Sequence, residues 1–277
     1  MPLYHLLKNK TKLARKRFRH RFKIFFSHHW RRARKEPVFI LTVRRTGSNL
    51  LLDYLNSIPN VSFLPEILNK DMFYGVRDRC ISKASVLRHL SHSIDHCAHT
   101  ICGAKLLKLH LETHRVTVED LKKIFPQARF IILYRQSLMD QFVSLKIAES
   151  TGQWQSATHR RLNPPIPVDV KELKEYCENT RRFYEELLEH PWLEDRSLVL
   201  SYEELAAHPQ KIFDEKVFPF LDLPSSRVTC RIKKQNTRRL SQTVMNYGQI
   251  EPLVDSPWLW QSYSPVQEKE AALSSWR

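Results

Sequence analysis

The stretch FILTVRRTGSNLLLDYL, Phe39 to Leu55, passes from an apolar run into an amphipathic helical pattern through a short polar turn. The run Val38–Val43 is what a strand buried on both faces requires, and such strands belong to parallel sheets covered by helices. The turn itself, Arg44-Arg45-Thr46-Gly47-Ser48-Asn49, holds one of only five glycines in 277 residues. A strand that hands such a turn to a helix N-terminus presents bare backbone N–H groups and the positive end of the helix dipole to an anion. Gly47 lets the main chain approach closely, Ser48 and Asn49 add donors, and the arginines add fixed charge. In open α/β sheets ligands sit beyond the carboxyl ends of strands, where this turn lies.

From Pro37 onward strand and helix patterns alternate. Strands are expected at Val38–Val43, Val61–Leu64, Ile101–Leu109 with Gly103 inside it, ARFIILYR (residues 128–135) and the start of SLVLSYEEL (residues 197–205). Helices are expected at Ser48–Ser57, 82–97, from Thr117 to about Phe125, Leu138–Ala148 and Val168–Leu188. Residues 150–167, with NPPIP, form a loop, and the part beyond Arg227 is irregular and basic. This alternation predicts an α/β chain, three layers α/β/α around a central, mostly parallel sheet. The domain spans 37–277 and residues 1–36 are an appendage.

That appendage carries 13 Lys/Arg and one acid, so it supplies 12 of the formal +16 charges. Ala14, Phe18, Phe22, Phe25, Phe26 and His29 recur at three- and four-residue steps, an apolar face on a basic helix. The physical expectation is peripheral contact with an anionic membrane surface. Phosphate-led nucleic-acid binding is the rival, but no specific nucleic acid is expected. No apolar run reaches spanning length and no secretory leader is evident. Five cysteines without paired C-x-x-C spacing fit free thiols in a reducing compartment, so the expected location is cytoplasmic, peripheral to membrane at most.

A nucleoside triphosphatase loop would read G-x-x-x-x-G-K-[S/T], with its second strand ending in a magnesium-binding aspartate. Here no lysine follows Gly47, the first glycine is missing, and FIILYR ends in Tyr134-Arg135. A cation stands where the metal-binding acid should be. The arrangement suits a nucleotide phosphorylated at both ends and handled without a metal. A sulfuryl group in transfer carries less negative charge than a phosphoryl group, so fixed cations and N–H donors can stabilise its transition state.

On these residues the chain resembles the sulfotransferases. VRRTGSNLLLDYL is similar to their 5′-phosphosulfate loop, FIILYRQSLMDQFVSLKIAES to their 3′-phosphate segment, and LVLSYEEL to the strand-to-helix segment that follows. KKQNTRRLSQTVMNY is similar to a C-terminal segment of bacterial members, so the resemblance covers about residues 37–250. It implies a P-loop-like sulfotransferase fold, with 3′-phosphoadenosine-5′-phosphosulfate as co-substrate, no metal, and an acceptor hydroxyl, preferably of a carbohydrate or glycolipid. The rivals are a nucleotide kinase or triphosphatase of related fold, and a non-catalytic module that binds membrane or nucleic acid through its basic tail.

The resemblance also assigns residues. Arg45 would stabilise charge on the bridging oxygen, with Arg44 as a second cation. Thr46, Gly47, Ser48 and Asn49 would cradle the 5′-phosphate. Arg135 and Ser144 would take the 3′-phosphate. Their spacing of nine is one longer than usual, so either the turn absorbs a residue or Ser137 shares the role. Glu66 follows Arg45 by 21 residues, as the catalytic acid does in tyrosylprotein-type members. Its apolar setting (Phe63, Leu64, Pro65, Ile67) predicts a raised pKa suited to a base. His110 in KLLKLHLE is the rival base, and Lys105 a weaker candidate for the sulfuryl group. Arg238, with Lys233, Lys234 and Arg239, would fold over the 3′-phosphate. Phe73, Tyr74, Trp154, Trp258 and Trp260 suit sugar stacking or lipid contact at the acceptor side. His89, His92, His96, His99, Cys97 and Cys102 read as a polar helix face rather than a metal site.

Overall fold

The computed structural model describes residues 36–72, 75–76, 82–97, 99–154, 165–232 and 239–254. The basic tail, Arg238, Lys233, Lys234, Phe73, Tyr74, Trp258 and Trp260 lie outside the described residues. Five strands form one parallel sheet: β1 (Glu36–Thr42), β2 (Val61–Leu64), β3 (Ile101–Leu107), β4 (Arg129–Tyr134) and β5 (Ser197–Ser201), in the order β2-β3-β1-β4-β5. Thr42 pairs with Leu107 on one side and Leu133 on the other, and Tyr134 pairs with Ser201. The carboxyl ends of the central strands therefore stop at one level, and every turn that leaves them opens on the same edge.

Helix α1 (Ser48–Leu55) follows β1. Helices α2 (Lys83–Asp95), α3 (Lys108–His114), α4 (Val118–Ile124), α5 (Leu138–Thr151), α6 (Val170–Glu189), α7 (Pro191–Glu194) and α8 (Tyr202–Ala207) follow in order. Alternation along β1 sends Val38 and Ile40 into one core with Leu51, Leu55 and Leu205, and Phe39 and Leu41 into another with Leu90, Leu121, Phe142 and Tyr184. The sheet is thus sandwiched between two helical layers. Each fully buried Leu or Phe contributes about 2–3 kcal/mol of transfer free energy, and β3, β1 from Pro37 and β4 from Phe130 are buried. Caps mark the helix starts that the sequence signals: Thr117 with Asp120 forms a capping box on α4, and Asp169 caps α6. Gly103 on β3 sits opposite Phe63 in register, where a Cβ would strike the Phe63 ring and the Val38 carbonyl.

Three expectations are corrected. β3 ends at Leu107 rather than Leu109, because the paired ends of the neighbouring strands stop there and a helical turn begins, held by a Lys108–Glu112 pair at 2.6 Å. His110 is therefore on a helix, not at a strand end. The segment beyond Arg227 is not wholly irregular: helical turns occur at Leu240–Thr243 and Tyr247–Val254. They form because Val244 bridges to Ile166 and Asn246 hydrogen-bonds Val168. Cys97 and Cys102 are joined in a disulfide, not free. The short link from α2 into β3 brings their Cα atoms to 6.2 Å, a proximity that spacing in the chain does not announce. No described helix is long and apolar enough to cross a membrane.

Candidate active site

At the carboxyl edge of the sheet the turn after β1 is knitted to β4 by two threonines. The Thr42 hydroxyl donates to the Leu133 carbonyl at 2.7 Å and shares a 2.6 Å bond with Thr46, whose hydroxyl reaches the Val43 carbonyl. Thr46 is fully buried, so its hydroxyl stiffens the turn and does not face a ligand. Gly47, at φ 79°, precedes α1, and no side chain caps that helix. Its first-turn N–H groups are the kind of donors that suit a phosphate. Ser48 and Asn49 occupy that first turn. Gly47 is required here twice over: its backbone is left-handed, and any Cβ would collide with the Tyr202 ring.

The loop cations are placed by α5. The Gln141 amide donates to the Arg44 carbonyl at 2.8 Å, while the Arg44 side chain lies 3.7 Å from Glu149 and over the Trp154 ring. Arg45 donates from Nε to Ser144 Oγ at 3.0 Å and from Nη1 to the Trp154 carbonyl at 2.8 Å. Arg135 leaves the end of β4 and reaches the Arg45 carbonyl through Nη1 at 3.4 Å. Its guanidinium lies over the Tyr202 ring at 5.0 Å, with Asp140 and Glu203 at 3.7 and 3.8 Å. Ser137 caps α5 by accepting from Asp140 N, which gives it a structural bond of its own. The two proposed phosphate segments thus meet through Arg45, Arg135 and Ser144.

A second network starts from β3. Lys105 is buried, and its Nζ donates to Asn49 Oδ1 at 2.6 Å and to Glu66 Oε1 at 3.0 Å. Asn69 donates to the other Glu66 oxygen at 2.9 Å. Lys105 pairs in register with Ile40, and that alternation points it to the α1 side of the sheet, toward Asn49. Burial pushes the Glu66 carboxyl up, but Lys105, Asn69 and His110 together outweigh it and hold the group below its ordinary value. The expected rise in the Glu66 pKa is therefore overturned: the sequence shows its apolar neighbours, while the ammonium comes from a strand 39 residues away. Burial lowers His110, with Glu66 opposing and Lys105 reinforcing. His110 Nδ1 is buried and has no hydrogen-bond partner. Its place on α3 puts it in the same cleft as Glu66.

One cleft of about 2050 Å³ takes in both networks, including Arg44, Arg45, Gly47–Asn49, Glu66, Lys105, His110, Arg135, Ser144 and Trp154, with Arg231 and Arg239 at its rim. Sequence reasoning did not single out Gln141, Asn69, Tyr202 or Glu203. Tyr202-Glu203 had a signal, a polar pair directly after an apolar strand; Gln141 and Asn69 had none. The histidine-rich helix brings His92 and His96 ring to ring at 3.8 Å, and among the described residues no His, Cys, Asp or Glu group is disposed to hold a metal ion.

Against known proteins, the profile of the sulfotransferase family matches residues 37–227. Nodulation protein H of Rhizobium tropici is 26% identical over 229 residues, covering 78% of this chain and 88% of that protein. Nodulation protein H of Rhizobium meliloti strain 1021 is 25% identical over 227 residues, covering 78% and 90%. In fold, the chain is similar to the sulfotransferase domain from the curacin biosynthetic pathway, with a TM-score of 0.51 at 14% identity over 87% of this chain and 98% of that one.

Proposed function

The chain belongs to the sulfotransferase family, and on that footing we propose that it moves the sulfuryl group of 3′-phosphoadenosine-5′-phosphosulfate to an acceptor hydroxyl, of a carbohydrate or glycolipid. The observation that carries the reading is the meeting of Arg135 with the Gly47 turn at the ends of adjacent strands. A nucleotide phosphorylated at both ends needs two cationic sites on one edge of a sheet, and adjacent strand ends supply them. The Arg135 guanidinium lines the cleft beside the turn, with its Nε edge facing Glu203 at 3.8 Å, and such a fixed cation suits a phosphate. A kinase or triphosphatase is disfavoured because the end of β4 carries Arg135 where a metal-binding acid would stand.

The residues divide the work. Amide groups at the start of α1 hold the 5′-phosphate, and Arg45 turns its guanidinium to the bridging oxygen, where negative charge grows as the S–O bond breaks. Arg135 and Ser144 take the 3′-phosphate. Lys105, one bond from Asn49 and one from Glu66, lies between the donor turn and the base and neutralises the sulfuryl oxygens in flight. Glu66 accepts the proton of the attacking hydroxyl, so the acceptor oxygen forms its bond to sulfur as the phosphate leaves. Positioning and preset charge do most of the work.

His110 is a second reading for the proton acceptor, favoured by its unbonded Nδ1 and a pKa lowered by burial. Calorimetry with adenosine 3′,5′-bisphosphate against ATP plus magnesium tests the donor, and preference for ATP removes the proposal. Glu66→Gln is expected to lower kcat by about 100-fold or more, with bisphosphate affinity retained. If instead His110→Gln abolishes turnover and Glu66→Gln spares it, the base is His110.

A further inference from the structure

The end of β5 touches both phosphate segments at once. Ser201 caps α8 through the Glu204 amide, which fixes the direction in which the next two side chains leave the strand. Tyr202 lays its ring against Gly47 on one side and beneath the Arg135 guanidinium on the other. Glu203 reaches across to the turn after β4: Oε2 accepts the Gln136 amide at 2.9 Å and Oε1 the Ser137 amide at 3.4 Å. The same Oε1 stands 3.8 Å from Arg135 Nε, the buried nitrogen with no hydrogen bond.

We propose that Glu203 is a positioning residue for recognition of the 3′-phosphate, acting through Arg135; this rests on the donor reading above. A guanidinium recognises phosphate through a flat fork of N–H groups, so the plane in which it is held decides whether two bonds form or one. Tyr202 sets the face of that plane. Glu203 sets its rotation, because its carboxylate lies on the Nε edge at 3.8 Å, while Nη1 reaches the Arg45 carbonyl at 3.4 Å and the side chain lines the cleft. By binding two amides of the turn, Glu203 also fixes where β4 ends and α5 begins, and so the position of the Arg135 main chain. Asp140 approaches the same guanidinium at Nη2, 3.7 Å away, but its carboxylate has no bond to the Gln136 or Ser137 amides. Two acids near one arginine are therefore unequal: Glu203 places the cation, and Asp140 adds only a neighbouring charge. The β5 exit acts as a spacer between the subsites, with Tyr202 touching the 5′ turn and Glu203 holding the 3′ one.

The test compares affinity for adenosine 3′,5′-bisphosphate with that for adenosine 5′-monophosphate, by calorimetry on the full chain, alongside thermal melting. Glu203→Ala should cut the bisphosphate-to-monophosphate ratio by about tenfold, the loss expected when charge-assisted bonds are misdirected. Its monophosphate affinity should change by no more than about twofold on the same scale. Glu203→Gln keeps one acceptor oxygen for the turn but presents an amide N–H₂ to Arg135, so its ratio should fall by less, about threefold. Asp140→Asn should leave the ratio within about twofold of wild type. A variant that only weakened the fold would lower the melting temperature and leave the ratio of the folded protein alone. An unchanged ratio in Glu203→Ala, or in Glu203→Gln if the alanine variant does not fold, overturns the inference while leaving the donor reading intact. A wild-type protein that binds both nucleotides equally overturns the donor reading, and the inference with it.

Discussion

The two ends of the cleft are built from different material. At the end proposed for the donor, main-chain turns leave three neighbouring strands, β1, β4 and β5, and are laced together: Thr42 to Leu133, Gln141 to Arg44, Glu203 to Gln136. At the end proposed for the acceptor the lining is side chains from separate elements, Glu66 after β2, His110 on α3 and Trp154 beyond α5. Lys105, itself buried, joins the two, since it bonds Asn49 on one side and Glu66 on the other. A site made from strand ends inherits the rigidity of the sheet. A site made from side chains on different elements can change its lining without disturbing the fold, which is how one scaffold serves many acceptors.

The largest effect is expected where the donor end has least room. Gly47→Val puts a β-branched side chain at a left-handed position and into the Tyr202 ring. It should lower stability by about 1–3 kcal/mol from backbone strain alone and remove measurable bisphosphate binding. A variant that still bound the nucleotide would show that the turn is not rigid.

Next comes the residue that joins the two ends. Lys105→Met keeps the buried volume and removes the charge, so kcat should fall by about 100-fold. The pH dependence should change sign as well. In the wild-type chain Glu66 lies below its ordinary 4.5, so its ionised form adds stability that is complete above that value and lost as pH falls through the lower folded one. Without Lys105 the burial that raises Glu66 is opposed by much less. The melting temperature of the variant should then gain on wild type as pH is lowered, and parallel melting curves from acid to neutral pH would sink the assignment.

The smallest effect is expected far from either end. Cys97→Ser with Cys102→Ser opens a loop of sequence separation 5, worth about 2 kcal/mol by chain entropy, and should leave nucleotide affinity unchanged. A change in affinity would mean that β3 transmits strain from its start to Lys105.

How much of this was readable in the chain follows the same division. The strand–turn–helix at Gly47 and the strand ending in Arg135 were legible because period and turn chemistry are local, and both functional segments are continuous. The first two residues of the helix that carries His110 were read as strand, since KLLKLHLE is equally apolar in either period and only the end of β1 opposite Leu107 stops β3 there. The pKa of Glu66 was read with the wrong sign, because the neighbours that count in sequence are apolar and the one that counts in space is Lys105.

By itself the sequence determined the sheet's parallel character, the anion-ready turn and the presence of an arginine where a metal-binding acid would otherwise sit. These are properties of contiguous residues, set by hydrophobic period, glycine and charge. Only the tertiary structure decided that Lys105 meets Glu66, that Cys97 meets Cys102, and that Tyr202 and Glu203 brace two loops at once. Those depend on distances between strands that the chain visits far apart, and hydrogen bonds and charges act over a few ångströms of space, whatever the separation along the chain.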